Sequence, residues 1–258
     1  MLLAINAQNS VIALGCFDEG GTLRAVARIA AVTACTADQY ACQIDGVLRL
    51  RGYSSAEIFG AVLCSVVPSL NGVLHDAVRI LCGCEVVSVS SGVKTGLSIQ
   101  MENPRALGSD LVCVALEAAS QGRLPAVVID MNTATTFTAL DRRGVLVGSM
   151  IAPGVRTGLE ALREKAAQLP SISLTLPEKR LLGKNTVDAM ASGVLNGAAS
   201  MVDGMICRCR EQLGEDLTVY LTGTDAPLVA GRMREPVRRA DDMVLHGLYR
   251  IWLKNRKN

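Results

Sequence analysis

Short apolar runs separated by polar turns open the chain. They cover residues 2–5, 11–17 and 23–29, and the turn at residues 18–21 has the sequence Asp-Glu-Gly-Gly. Apolar runs of this length, bounded by glycine-containing polar turns, predict β-strands joined by a hairpin. The N-terminus is therefore predicted to form an antiparallel meander of three strands.

The same pattern returns near residue 124. Asp130 directly follows the run Val-Val-Ile at residues 127–129, as Asn6 directly follows the run at residues 3–5. A polar turn, a second apolar run, a glycine-containing turn and a third apolar run follow in both places. Self-similarity at half length predicts two related domains, which we place at residues 1–119 and 120–258.

Helical periodicity and further short strands fill the rest of each half. The 3.6-residue pattern and its start signals predict six helices. The first starts at residues 36–38, and the others lie at 70–82, 108 to about 120, 157–169, 187–213 and 243–253. Strands are predicted at 61–67, 85–89 and 217–221. The long helix carries Ala189, Gly193 and Gly197 at four-residue spacing, which permits close packing of a helix from the same chain or from a second subunit.

Composition excludes several classes of protein. Apolar residues make up 50% of the chain and aromatic residues only 3%, with a net charge of +2, so nucleic acid is not an expected partner. No run approaches the roughly 18 apolar residues of a membrane span, and the first residues do not resemble a signal peptide. The nine cysteines form no Cys-x-x-Cys pair, and the two histidines lie far apart. A cytoplasmic protein with reduced thiols and no structural metal is expected.

Polar turns at strand ends and helix starts are the candidate sites of chemistry. They lie at residues 6–10, 108–110, 130–136 and 222–225. Ligands bind outside such ends in α/β proteins, and phosphoryl transfer needs phosphate cradles, a cation and an acid that orients the acceptor. Asp130, followed by hydroxyl residues, fits a phosphate and cation cradle or an Asp that caps its own turn.

Two further candidates have simple alternatives. Asp110 fits the carboxylate that orients the acceptor hydroxyl, or a helix N-cap. Lys94 and Thr95 lie in a glycine-rich loop and could hold an anionic substrate, although an exposed loop lysine is equally consistent with the sequence.

Taken together, the motifs resemble those of type III pantothenate kinases, which belong to the acetate/sugar kinase–Hsp70–actin superfamily. The likeness extends from residue 2 to about residue 250. It is dense at residues 64–69, 92–97, 103–104, 108–110, 130–136, 151–154, 183–193 and 222–223. The resemblance implies two ribonuclease-H-like (actin-like ATPase) α/β domains with a cleft between them. It also implies phosphorylation of pantothenate by ATP in coenzyme A biosynthesis, with Mg²⁺, a monovalent cation (K⁺ or NH₄⁺) and a homodimer.

The resemblance also implies roles for individual residues. Asp110 would be the catalytic base, and Asp130 would sit at the monovalent-cation site. ATP and its phosphates would be bound by Asn6, Asn9, Ser10, Thr133, Thr222 and Gly223. The substrate would be bound by Lys94, Thr95, Gly108, Leu111 and, across the dimer, Thr186.

The sequence departs from the family pattern within this site. Asn6 stands where the first phosphate loop usually has Asp, and Gln8 where it has Gly. Asn132 and Thr224 also replace glycines, and Asn tolerates a left-handed backbone better than most residues. Leu111 replaces an arginine that would clamp the substrate carboxylate.

These departures leave three hypotheses. The first is a pantothenate kinase of weakened activity. The second is a catalytically impaired relative that acts as a binding or partner subunit, including a heterodimer with a paralogue. The third is a kinase for another small hydroxylated substrate, because Leu111 and Met101 make the pocket more apolar.

Overall fold

The computed structural model describes residues 1–174 and 181–256. In chain order its elements are β1 Leu2–Ala7, β2 Val11–Phe17, β3 Leu23–Ala30, α1 Ala37–Leu50, β4 Gly60–Ser65, α2 Pro68–Cys82, β5 Val86–Ser88, α3 Ser109–Ser120, β6 Ala126–Met131, β7 Ala134–Leu140, β8 Leu146–Pro153, α4 Val155–Lys165, α5 Thr186–Leu213, β9 Thr218–Thr222, α6 Ala226–Ala230, β10 Arg238–Arg239 and α7 Met243–Asn255. Short 3₁₀ turns lie at Ser55–Glu57 and Pro104–Ala106. None of the described helices combines the length and apolar character needed to span a bilayer.

Two five-stranded sheets have the same topology. Their orders are β3-β2-β1-β4-β5 and β10-β9-β6-β7-β8, so each central strand has one antiparallel and one parallel neighbour. Both meanders also shift register near the end of their second strand, at Cys16/Phe17 and at Ala139/Leu140. The predicted internal repeat is therefore confirmed.

The central strands are buried along their whole length because each sheet is covered by helices. Every residue of β1 and of β6 is buried. In the first core Ile5 and Leu63 pack with Ile44 and Leu74 of the covering helices. In the second core the apolar side chains of β6 and β9 pack with those of α5.

Several predicted bounds differ from those observed. The strand predicted at 61–67 ends at Ser65, because Val67 caps α2 and Pro68 begins it. The helix predicted at 157–169 is Val155–Lys165. The short elements α6 and β10 were not predicted, since neither is long enough to show a period.

The C-terminal helix α7 belongs to the first sheet. Internal contacts divide the chain into a first unit, Met1–Gln121 with Asp242–Asn258, and a second unit, Gly122–Asp241. The predicted division at 119/120 had assigned α7 to the C-terminal domain, whereas in the structure it packs against α3. Arg250 donates to Glu117 at 2.5 Å across this contact. A Cβ at Gly247 would lie 2.1 Å from the carbonyl oxygen of Cys113, so the two backbones nearly touch.

Gly247→Ala is expected to separate α7 from α3 and to lower the free energy of unfolding by about 1–3 kcal/mol, because the added methyl meets rigid backbone. Urea unfolding measures this loss. Gly46→Ala in α1 is the matched control, since a Cβ there meets nothing within 4 Å among the described residues. The control should gain about 0.5–1 kcal/mol from helix propensity. Equal stability of Gly247→Ala and the parent protein would contradict the close packing.

Candidate functional site

The two central strands place Asn6 and Asp130 at equivalent positions. Asn6 is the fifth residue of β1 and lies opposite Cys64 of the parallel strand β4. Asp130 is the fifth residue of β6 and lies opposite Thr222 of the parallel strand β9. Both side chains stand where a strand opens into a turn, so the two sheets offer corresponding ligand-binding edges.

Asn6 has a buried oxygen without a partner. Its side chain is 5% exposed, and its Oδ1 accepts no hydrogen bond from any described residue. The turn that follows is closed by the N–H of Gln8, which donates to the carbonyl of Val11 at 2.9 Å, while Asn9 and Ser10 are exposed. A buried acceptor left unpaired costs free energy, and a hydrogen-bond donor or a cation at this edge would relieve it.

The turn after β6 is held in place by the side chain of Asn132. Asp130 is also 5% exposed, and its Oδ1 accepts from Nδ2 of Asn132 at 2.6 Å. Oδ1 of Asn132 accepts from the N–H of Thr224 at 2.9 Å and from its Oγ1 at 3.0 Å. We call these three hydrogen bonds the Asn132 bridge, because they join the turn after β6 to the turn after β9.

Asn132 and Thr224, both expected from the sequence to stand in place of glycine, therefore take part in the Asn132 bridge. Only Asp242 among the described non-glycine residues has a positive φ. Asn132 therefore does not adopt the left-handed conformation that asparagine tolerates. Gly223, in contrast, has φ +101°, and a Cβ there would lie 2.4 Å from the backbone N and O of Met131.

The motif at residues 151–154 and the start of α4 also hydrogen-bond to the turn after β6. The N–H of Gly154 and the hydroxyl of Thr157 donate to the carbonyl of Thr133 at 3.0 and 2.7 Å. A Cβ at Gly154 would lie 2.0 Å from the carbonyl oxygen of Asn132, so only glycine fits. The side chain of Thr133 is exposed at the tip of the loop, where its hydroxyl can meet a ligand.

An ion pair between an exposed arginine and a buried aspartate lies beside the same turns and was not predicted. Nε of Arg156, at the start of α4, is 2.8 Å from Oδ1 of Asp225. The Asp225 side chain is almost fully buried, and its backbone N–H donates to the carbonyl of Met131. The two partners are 69 residues apart in sequence, which is why no local pattern reveals them.

Asp110 lies in the first turn of α3, in the first unit. The N-cap position belongs to Gly108, so the helix N-cap interpretation of Asp110 does not describe its position. Its Oδ1 accepts from the N–H of Leu111 at 2.9 Å, and a Cβ at Gly108 would crowd that oxygen at 2.5 Å. Burial raises the pKa of the Asp110 carboxyl above its ordinary value, and the N–H groups of Leu111 and of Asp110 itself lower it by less.

Buried thiol and hydroxyl groups connect α3 to the end of β4. The thiol of Cys64 donates to Oγ of Ser109 at 3.1 Å, and Ser109 donates to the carbonyl of Ser65 at 3.3 Å. Burial raises the pKa of the Cys113 thiol well above its ordinary value, and Cys64 and the charge of Asp110 act in the same direction. These contacts bring the strand end that lies opposite Asn6 close to Asp110.

The predicted substrate residues occupy three different environments. The backbone of Lys94 exchanges two hydrogen bonds with the side chain of Asn255, at 3.1 and 2.8 Å, and its own side chain is exposed. Oγ1 of Thr95 accepts from the N–H of Leu97 at 3.1 Å. Leu111 is buried on α3, and Thr186 is exposed in the first turn of α5.

The predicted site residues divide between the two units. The first unit holds Asn6, Asn9, Ser10, Lys94, Thr95, Gly108, Asp110 and Leu111. The second unit holds Asp130, Thr133, Thr186, Thr222 and Gly223. Within the part of the chain that the structure describes, no three His, Cys, Asp or Glu side chains cluster as a metal site would require.

Comparison with known proteins identifies the family. Residues 2–208 match the family model described as type III pantothenate kinase. The type III pantothenate kinase of Moorella thermoacetica is 37% identical over 256 residues, covering 99% of this chain and all of the relative. That of Streptomyces griseus is 37% identical over 263 residues, covering 99% and 98% of the two chains.

Solved structures show the fold. A ROK family glucokinase from Streptomyces griseus, 13% identical, covers 97% of each chain with a TM-score of 0.51. This likeness confirms the predicted fold class of duplicated, actin-like α/β domains. Because both the family model and full-length relatives match, the chain belongs to the type III pantothenate kinase family.

Proposed function

We propose that this protein is an ATP-dependent pantothenate kinase that acts in coenzyme A biosynthesis. The observation that carries the proposal is Asp110, a half-buried carboxyl in the first turn of α3 whose pKa is raised by burial. A base with a raised pKa accepts a proton more readily in the transition state. Two relatives that match over their full length are named as type III pantothenate kinases, which supports pantothenate as the substrate.

In the proposed reaction a hydroxyl oxygen of pantothenate attacks the γ-phosphorus of ATP. The new P–O bond forms as the bond to the β-phosphate oxygen breaks, and ADP leaves. The carboxylate of Asp110 accepts the proton of the attacking hydroxyl. Positioning and charge stabilisation supply most of the catalysis in such transfers.

We assign the phosphates of ATP to three turns, those that follow β1, β6 and β9. The first turn supplies the amides of Asn6 and Asn9 and the hydroxyl of Ser10. The second turn supplies the hydroxyl of Thr133. Thr222 and Gly223 add the third turn, in which the left-handed Gly223 allows the backbone to pack against Met131. Exposed hydroxyl and backbone N–H groups in turns suit phosphate oxygens.

The donor sets fit the two expected kinds of cation. The side-chain Oδ1 of Asn6, which accepts no hydrogen bond from the described residues, suits Mg²⁺ or one of its bound waters. The carboxylate of Asp130 suits K⁺ or NH₄⁺. When bound, Mg²⁺ neutralises the charge that develops on the transferred phosphoryl group. Asn6 brings no negative charge to this task, so we expect weaker Mg²⁺ binding than a carboxylate would give.

The substrate end of the site is also altered. Leu111 is buried and apolar, and it offers no guanidinium to the carboxylate of pantothenate. Loss of such a charged clamp costs about 1.5–3 kcal/mol of binding. Lys94 and Thr95 remain as the polar groups assigned to the substrate. We therefore propose a kinase whose turnover lies below that of a site with both charges.

We further propose that the enzyme is a homodimer in which Thr186 reaches the partner subunit's substrate. Thr186 is exposed beside three large apolar side chains that also face solvent: Leu181, Leu182, which is 82% exposed, and Val187. Exposed apolar patches of this kind are typical of interfaces. On the same helix, a Cβ at Gly193 or Gly197 meets no described atom within 4 Å, which supports a partner helix from a second subunit.

The test is ADP formation by the purified protein with ATP, Mg²⁺ and K⁺, with and without pantothenate. We expect ADP formation that depends on pantothenate. ADP formation at the same rate without pantothenate, or none with it, would reject the proposal. In that case a rise in Tm on adding ATP would favour a kinase for another substrate, and no rise would favour a partner subunit without nucleotide.

A further inference from the structure

We propose that Asn132 is a positioning residue that acts through Asp130 and Thr224. Through them it sets the affinity of the turn after β6 for nucleotide and for the activating monovalent cation. The inference rests on the proposed function, because it concerns the same phosphate and cation site. It goes beyond that function by giving roles to two side chains that stand where the family pattern has glycine.

The Asn132 bridge can form in only one orientation of the amide. The backbone N–H of Thr224 can only donate, so it needs the oxygen of the Asn132 amide as its acceptor. Nδ2 must therefore face Asp130, and Oδ1 must face Thr224, as observed at 2.6 and 2.9 Å. Both lone pairs of Oδ1 are used, because the hydroxyl of Thr224 also donates to it at 3.0 Å.

Two of the three residues of the Asn132 bridge lie at the solvent edge of the sheet, whereas Asp130 is buried. Thr224 is exposed and Asn132 is half-buried. The backbone already joins the two turns, since the N–H of Asp225 donates to the carbonyl of Met131 at 2.9 Å. Losing the bridge should therefore loosen the turns without unfolding the sheet.

The bridge has two consequences for ligands. It fixes one oxygen of Asp130, so the carboxylate is oriented before a cation arrives. It also engages the N–H of Thr224, so phosphate contacts fall to Thr133 and the neighbouring backbone. A site that is ordered in advance binds more tightly because less freedom is lost on binding.

The variants that test this are Asn132→Ala, which removes all three hydrogen bonds, and Thr224→Val, which removes only the hydroxyl donor. Thr224→Ser is the matched control, because it keeps the donor. We expect the KM for ATP and the half-saturating K⁺ concentration to rise roughly three- to tenfold in Asn132→Ala and less in Thr224→Val, from the usual strength of such hydrogen bonds. The kcat should change less than twofold, and Thr224→Ser should match the parent.

The combined variant completes a double-mutant cycle. If the two side chains act through each other, Asn132→Ala with Thr224→Val should be no worse than Asn132→Ala alone. Additive effects, or an unchanged KM and K⁺ requirement in Asn132→Ala, would overturn the inference. So would an equal loss of Tm with and without ligands, which indicates a merely structural role.

A measurement without turnover separates this inference from the proposed function. The rise in Tm produced by ATP with Mg²⁺ is recorded in KCl and in choline chloride. If the parent protein shows no pantothenate-dependent turnover but retains a K⁺-dependent rise, the proposed function fails, and a smaller rise in Asn132→Ala still supports the role of Asn132. No rise in the parent, or the same rise in Asn132→Ala, overturns it.

Discussion

Asp110→Asn is expected to lower kcat for pantothenate-dependent ADP formation by roughly 10²–10⁴-fold, the usual contribution of a positioned general base. Asparagine has the same shape, and its Oδ1 can still accept from the N–H of Leu111. The substitution therefore removes the proton acceptor and leaves the start of α3 in place. Steady-state kinetics at saturating ATP and pantothenate measure the loss.

Two further readouts separate catalysis from folding. Burial raises the pKa of the Asp110 carboxyl in the folded state. The protonated carboxyl therefore contributes stability at pH values below its pKa in the unfolded chain. This contribution is lost as the pH rises through its pKa in the folded protein. At neutral pH the Asn variant should therefore unfold at the same urea concentration as the parent or a higher one. The parent's kcat/KM should also fall on the acid side as Asp110 becomes protonated, and the variant should lack that limb.

Asp38→Asn is the matched control for Asp110→Asn. Asp38 is also the second residue of a helix, α1, but its side chain is exposed. The control should keep full activity. If Asp110→Asn kept more than about a tenth of the parent's kcat, well outside the range for a lost general base, Asp110 would not be the base.

Asn6→Asp combined with Leu111→Arg is expected to raise turnover with pantothenate by roughly 10²–10³-fold, the usual effect of one transition-state charge partner. The aspartate would supply negative charge at the buried oxygen position that now lacks a partner. The arginine would supply a bidentate partner for the substrate carboxylate. Kinetics of the double and both single variants, over a range of Mg²⁺ and pantothenate, separate kcat from the two affinities.

Both changes place charge at buried positions, so stability must be followed as well. Burying an unpaired carboxylate or guanidinium costs free energy, and ATP with Mg²⁺ should restore part of the loss from Asn6→Asp by binding the folded state. Asn71→Asp with Leu50→Arg is the charge-matched control, because Asn71 is exposed and Leu50 is 84% exposed. Unchanged turnover in a folded double variant would show that these two residues do not limit the activity.

The central strands could be predicted from sequence because burial leaves an uninterrupted apolar run. Their ends could not. The strand predicted at residues 2–5 continues to Ala7, because backbone pairing of Asn6 and Ala7 with β2 and β4 extends past the last apolar side chain. The same holds for β6, which includes Asp130 and Met131. Side-chain polarity locates such a site, and hydrogen bonding of the backbone decides where the strand stops.

Contacts between distant residues account for what sequence reasoning missed. Asn132 and Thr224 were recognised separately as departures from glycine, yet their 92-residue separation hid the hydrogen bonds that join them. The pairing of Arg156 with Asp225 was missed for the same reason. Asp110 could be singled out locally as a carboxylate at a helix start, and the family resemblance implied its role as base. Its burial depends on how α3 packs, which only the tertiary structure gives.

The return of α7 to the first unit affects the order in which this chain can fold. The second unit is continuous in sequence, whereas the first needs residues from both ends. During synthesis the second unit can therefore close while the first still lacks a helix. Residues from Leu111 to Ala118 of α3 are all buried in the finished protein, with α7 packed against that helix. We expect this surface of α3 to stay accessible to chaperones until α7 has left the ribosome.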